Sequence, residues 1–473
     1  MLTRRSFLAV SAAATASTAL AAVSARPAGA LSDGDGPYGP LATEPDANGL
    51  LLPAGFTARV IARYEEPVAG SGYPWHLFPD GGATFATDDG GWIYVSNSEG
   101  IVDGTGGVGA IRFAADGEIT DAYPLLTGSE RNCAGGPTPW GTWLSCEEQE
   151  RGKVWECDPT GERDAVELPA LGAFVHEAVT VDTDREQLYL TEDTVDGRLY
   201  RFTPTAYPDL TAGTLEVAKV VDGAVEWLEV LDPAAASVPT RGQVAESTPF
   251  DGGEGIWYQD GFVWFVTKGD HGVWKLDPAA STIEKIYEGA TAELALGAPD
   301  NVVMTSFGDL LVCEDQPEDQ QVVMITPDGI VAPILQLTGQ SGSELAGAAL
   351  DPAGERLYVS SQRGGGVDGQ LGGGITYEIA GPFRVAAPPA ATTTSSAAVS
   401  GTTRALANAA GGDNDNNNDD DSSRLVPVLG AGALIAAGIA FAIARLRGRV
   451  PEPVAAAGDD EITGSSGRPD DAV

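Results

Sequence analysis

Between Gly55 and Phe383 the chain repeats one unit, and that repetition narrows the fold more than any other feature. The unit is a short apolar strand, a turn carrying Asp or Gly, a strand ending in Tyr or Trp followed by Val and Ser or Thr, and a third strand of the Gly-x-Val-Trp type. Clear copies of the hairpin are Ala178-Val179-Thr180-Val181-Asp182 with Gln187-Leu188-Tyr189-Leu190-Thr191, and Ala348-Ala349-Leu350-Asp351-Pro352 with Arg356-Leu357-Tyr358-Val359-Ser360. Both alternate with a period of two, as half-buried strands do. Third strands follow at Ala110–Phe113, Val154–Cys157, Leu199–Phe202, Val273–Asp277, Val322–Thr326 and Ile375–Glu378. Six units without an amphipathic helix predict an all-β fold, a six-bladed β-propeller, with a two-sheet sandwich or a β-helix as the alternative. The spacing assigns the insertion Ala206 to Gly253 to loops, and the early strand Phe56–Ile61 to pairing with the last blade. A propeller gathers the first strand of each blade around one axis, so residues distant in sequence can meet there.

The two ends have a different character. Thr3-Arg4-Arg5-Ser6-Phe7-Leu8, an apolar stretch to Val23, and small residues at Ala28-Gly29-Ala30 have the layout of a twin-arginine export signal over residues 1–30. The propeller is then expected over 31–384. Residues 385–424 turn to Ala, Pro, Thr and Ser and end in Asp419-Asp420-Asp421, which reads as a disordered acidic stalk. Leu425 to Ala444 runs without a charge, and Arg445, Arg447 and Arg449 follow. That pattern predicts a C-terminal single transmembrane helix at 425–444 with a cytoplasmic tail at 445–473. The expected location is the outer face of the cell membrane, reached through the twin-arginine export machinery.

The formal charge is −41, from 27 Lys plus Arg against 68 Asp plus Glu. Such a surface repels nucleic acid and leaves solvation or cation capture as its uses. Three histidines, His76, His176 and His271, lie in no zinc-binding spacing, and no nucleophile elbow or phosphate-binding glycine loop occurs. Four cysteines are too few for a disulfide scaffold, although a Cys133–Cys157 bridge is open.

The chemistry concentrates in Pro139-Trp140-Gly141-Thr142-Trp143-Leu144-Ser145-Cys146-Glu147-Glu148 and the strand Val154-Trp155-Glu156-Cys157. A thiol and carboxylates at strand ends are metal ligands when they converge. Cys146, Glu147, Glu156, Glu177 and Asp300 are the expected metal ligands, with Asn97, Glu99, Glu254, Asn301 and Glu314 as weaker candidates. Glu192, Asp193, Asp315 and Glu344 stand at similar places. Carboxylates this close raise one another's proton affinity unless cations neutralise them.

The Pro139–Glu148 motif, the Gly152–Pro159 strand with Glu156, and Pro299-Asp300-Asn301 ahead of Gly308-Asp309-Leu310 resemble the PhoX family of exported alkaline phosphatases. The resemblance covers most of Gly55 to Phe383. It implies a propeller whose channel mouth holds iron and calcium, with Cys146 on iron, Glu147, Glu156 and Glu177 on iron or calcium, and Asp300 beside them as catalytic metal site. The implied substrates are small-molecule phosphate esters, bound through their oxygens to the metals. Two departures stand out: Asn97-Ser98-Glu99 lacks the family's histidine, and Val175-His176-Glu177-Ala178 lacks the arginine of Arg-Pro-Glu-Trp. A non-catalytic calcium-binding propeller and a lactonase-like calcium hydrolase are the competing readings.

Overall fold

The computed structural model describes residues 31–289, 296–366 and 372–385. They form an all-β, propeller-like ring, and the helical content among them is two 3-10 turns, Pro169–Leu171 and Thr240–Gly242. Four-stranded antiparallel meanders follow one another along the chain, each beginning with a strand at the axis: Pro79–Ala86, Asn132–Pro137, His176–Asp182, Gly253–Gln259, Pro299–Met304 and Leu345–Leu350. Each axial strand packs against the next, and Leu345–Leu350 returns to Pro79–Ala86. The early strand Thr57–Arg63 pairs with Ile375–Ala380, so the last sheet is completed by the start of the chain.

The expectation of a six-bladed propeller with a C-terminal membrane helix is corrected here. The strands do not separate into six independent blades; they hydrogen-bond into five sheets, three of four strands, one of six and one of nine. The nine-stranded sheet arises from the insertion that had been assigned to loops. Asp209–Val221 and Ala224–Glu229 form a long hairpin, and Ala224 pairs with Thr282 in the outer strand of the next meander. Its turn, Asp222-Gly223, has φ of 52° and 79°, the left-handed pair that a two-residue hairpin turn demands. The six-stranded sheet gains Ser32–Asp33 and Leu50–Leu51 on the edge strand Ile330–Leu337. Among the described residues no helix is long and apolar enough to cross a membrane. Residues 425–444, like the export signal, the acidic stalk and the tail, lie outside the described residues.

Apolar clusters between neighbouring sheets hold the ring together. One packs Leu144, Cys146, Val154, Phe174, Val179, Leu188, Tyr200 and Phe202, and another packs Leu311, Cys313, Val322, Leu357, Val359 and Tyr377. Toward the axis, space is so short that glycine is required. A Cβ on Gly136 would lie 1.8 Å from the Val179 carbonyl oxygen, and one on Gly347, whose φ is +70°, would lie 2.3 Å from that of Asp80. Gly136→Ala is therefore expected to destabilise the fold by about 1–3 kcal/mol through forced backbone movement. The midpoint of urea unfolding measures it.

Candidate metal centre

Every axial strand starts with the same irregularity. The register slips between Pro79 and Gly82, Asn132 and Gly135, His176 and Val179, Gly253 and Ile256, Pro299 and Val302, and Ala346 and Ala349. A bulge bends a strand and re-aims the side chains within it. The first bulge residues are Asp80, Cys133, Glu177, Glu254, Asp300 and Gly347, so the repeat delivers four carboxylates and a thiol to one end of the channel. A second tier comes from the residue after each second strand: Glu99, Glu148, Asp193, Lys268, Asp315 and Gln362. Gly81, Ala178 and Gly255 follow three of the bulge acids where the axial strands touch, and Asn301 follows the fourth.

Ligand atoms converge in three groups, each spanning no more than 4.8 Å: Cys133, Glu148 and Glu177; Glu177, Glu254 and Asp300; and Asp80, Glu99 and Glu344. Glu177 belongs to two of them. It is fully buried, and neither of its carboxylate oxygens has a hydrogen-bond partner. Gln362 donates through Nε2 to Asp80 and, at 2.8 Å, to Glu99. Arg363 pairs with Glu344. Lys268 Nζ lies 3.1 Å from Glu254, 3.0 Å from Asp300 and 3.3 Å from Asp315. Asn97 braces the bulge that carries the thiol: its Nδ2 donates to the carbonyls of Cys133 at 3.1 Å and Ala134 at 2.7 Å, and its Oδ1 accepts from Trp143 and Ser145.

Burial, and then the neighbouring Glu254, Asp300, Glu148 and Asp80, push the Glu177 carboxyl well above its ordinary range. Asp80 is raised by burial and by Asp300 and Glu99. Burial likewise raises the Cys133 thiol, with Asp80 and Glu177 next. Groups in this state must hold protons or cations. Buried carboxylates without partners suit a hard cation such as calcium through oxygen, while the thiol of Cys133 adds a soft donor of the kind iron accepts. The donor set therefore fits metal on the Glu177 oxygens, which nothing else satisfies.

Of the residues expected from sequence, the structure brings Glu177, Asp300 and Glu254 together, and places Glu99 in the separate group with Asp80 and Glu344. Asn301 stands beside Asp300, its Oδ1 accepting the Gly347 N–H and its Nδ2 unpartnered. Others lie elsewhere. Cys146 is sealed in an apolar cluster with Leu144, Val154 and Phe174, because strand alternation puts it on the face of Leu144. Glu147 accepts from Trp155 Nε1 at 3.0 Å and from two backbone N–H groups. Glu156 accepts from Trp140 and Thr142. Glu314 accepts from the N–H groups of Gly297 and Gln321. These three acids are fixed by local donors, as turn and edge acids commonly are. The thiol among the converging groups is Cys133, which the sequence had suggested only for a disulfide; all four cysteines are free. Asp80 and Glu148 were also missed. His176 is buried with its ring tilted against that of Phe174, and burial pushes its pKa down to about 3.

The channel below the bulges narrows to a cavity of about 30 Å³ lined by Gly81, Ala134, Ala178, Gly255 and Ala348. A much larger cavity, about 740 Å³, lies elsewhere, between Trp264, Lys275, Leu310 and Leu31, and contains none of the converging groups.

The model of the family described as alkaline phosphatase PhoX matches residues 100–277 and 273–365. The chain belongs to the PhoX alkaline phosphatase family. Among solved structures, it is similar to Pseudomonas fluorescens PhoX in complex with vanadate, a transition state analogue, with a TM-score of 0.60 and 16% identity over 71% of this chain and 96% of that one. At that identity the likeness establishes the fold. A Bacteroides thetaiotaomicron protein of unknown function has a TM-score of 0.45 and 11% identity over 69% of this chain and 76% of its own. A gluconolactonase from Xanthomonas campestris has a TM-score of 0.38 and 13% identity over 76% and 99%. Scores this low carry no weight for function. No curated protein matches the sequence.

Proposed function

We propose that this PhoX-family phosphatase hydrolyses phosphate monoesters outside the cytoplasm, with iron and calcium held by residues of the two tiers at the channel end together with Glu344. The observation that carries the reading is Glu177, buried among carboxylates with both oxygens unpartnered. Cys133, Glu148 and Glu177 would hold iron. Glu254 and Asp300, sharing Glu177, and the group of Asp80, Glu99 and Glu344 would hold calcium. When bound, the metals supply the positive charge that a phosphate dianion needs in an acidic site and a Lewis acid for the attacking water.

The chain's own residues prepare that site. Asn97 fixes the backbone around Cys133, so the sulfur is aimed before any ion arrives. Gln362 ties Asp80 to Glu99, and Arg363 holds Glu344 in place. Beneath the bulges the space between the axial strands is only about 30 Å³, too small for a phosphate ester, which would reach the site from the side of the second tier. Export is proposed from Thr3-Arg4-Arg5-Ser6-Phe7-Leu8.

Cations that bind only the folded chain stabilise it in proportion to the logarithm of their concentration. Chelation is expected to remove roughly 2.7 kcal/mol where the free ion had stood at a hundred times its dissociation constant. Thermal unfolding with and without chelator checks this, and hydrolysis of a chromogenic phosphate monoester followed in parallel should stop as the metals leave.

A further inference from the structure

The second tier repeats one position in every meander, and in four of its six places that position is acidic: Glu99, Glu148, Asp193 and Asp315. Gln362 is neutral. Lys268 is the exception in sign. It follows the strand Phe262–Thr267, its N–H donates to the Gly252 carbonyl at 2.8 Å, and its stem runs toward the axis. The ammonium meets three carboxylates from two meanders: Glu254 of its own axial strand, and Asp300 and Asp315 of the next. All three distances are 3.0–3.3 Å. An ammonium carries one full positive charge and no lone pair, and here that charge sits among three carboxylates.

Carboxylate oxygens from Glu, Asp and Asp around one point are also the donor set of a hard divalent ion, whose bonds of roughly 2.3–2.6 Å need them to close in by about 0.6 Å. Glu177, buried with both oxygens unpartnered, borders the same Glu254 and Asp300, so the group as a whole remains short of cations even with the lysine in place. We propose that the Lys268 ammonium is a resident cation occupying one position of the metal cluster, so that this chain binds one fewer divalent ion than its carboxylates could hold. Lys268 is then a positioning residue: it fixes Glu254 and Asp300 for the ion that Glu177 completes, and with its charge set among three carboxylates it does not hold the phosphate.

The inference rests on the metal-centre reading, and bound-metal counting separates the two. Full-length protein, Lys268→Met and Lys268→Arg are equilibrated with calcium, desalted and analysed for metal per chain. Lys268→Met should hold one calcium more than the parent, and Lys268→Arg the parental number, because a guanidinium keeps the charge. A parent that binds metal alongside a Lys268→Met variant with the same count overturns the inference alone. A parent that binds no metal overturns the metal reading together with it. Where Lys268→Met folds poorly, its melting temperature should climb toward the parental value as calcium is added, and a failure to climb also counts against the proposal.

Discussion

Replacing Glu177 by Gln should lower phosphatase turnover by about 100-fold or more while making the metal-free protein more stable than its parent. The first effect follows because loss of a ligand should be at least as damaging as loss of a group that merely supports one, which already costs roughly 10–100-fold. The second follows from the orphaned carboxylate. In the metal-free chain the Glu177 carboxyl is raised by burial and then by Glu254 and Asp300, so its unfolded form ionises first as pH rises. Its contribution to stability is thus present below the ordinary Glu value of about 4.3 and is lost as pH climbs toward the folded-state value. An amide removes that loss. Thermal unfolding of the stripped proteins between pH 5 and 9 should show a shallower decline for Glu177→Gln, and an equal slope for both proteins would contradict the role given to this residue.

The two thiols should separate just as sharply. Cys133→Ser is expected to lose bound iron, and with it roughly 100-fold or more in turnover, since a hydroxyl is a poor soft donor. Cys146→Ala should keep its iron and lose only stability, on the order of 1–3 kcal/mol, because it removes a small buried group from the cluster around Leu144 and Val154. Iron content and denaturant midpoints measured on both variants distinguish the sites. Iron lost from Cys146→Ala and retained in Cys133→Ser would reverse the assignment.

The contrast between these cysteines also shows what could be read from the chain. The repeat was legible because its hairpins alternate apolar and polar residues, and Glu177 and Asp300 were legible because each begins an axial strand. Cys133 was not, because Asn132-Cys133-Ala134-Gly135-Gly136-Pro137 has no apolar alternation: its glycines exist to let Leu144 and Val179 carbonyls approach. Asp80 hid in the same way in Pro79-Asp80-Gly81-Gly82, which reads as a turn. Cys146 drew notice through a long motif, yet period-two alternation in Trp143-Leu144-Ser145-Cys146-Glu147 already places it with Leu144, on the apolar side. The Asp222-Gly223 turn between Val220 and Val225 was the available signal for the inserted hairpin, and that hairpin fuses two meanders into one sheet. The convergence of Asp80, Glu99 and Glu344 depends on closure of the ring, which no local pattern carries.

Phosphate-ester hydrolysis by this chain is expected to depend on metal held by Cys133, Glu177 and their neighbours. That dependence is tested most directly by stripping the full-length protein with chelator and following chromogenic phosphate monoester hydrolysis as iron and calcium are returned. Turnover should vanish on stripping, return with the metals in the parent, and fail to return in Glu177→Gln. Undiminished hydrolysis by the stripped protein, or full recovery in Glu177→Gln, would contradict that dependence.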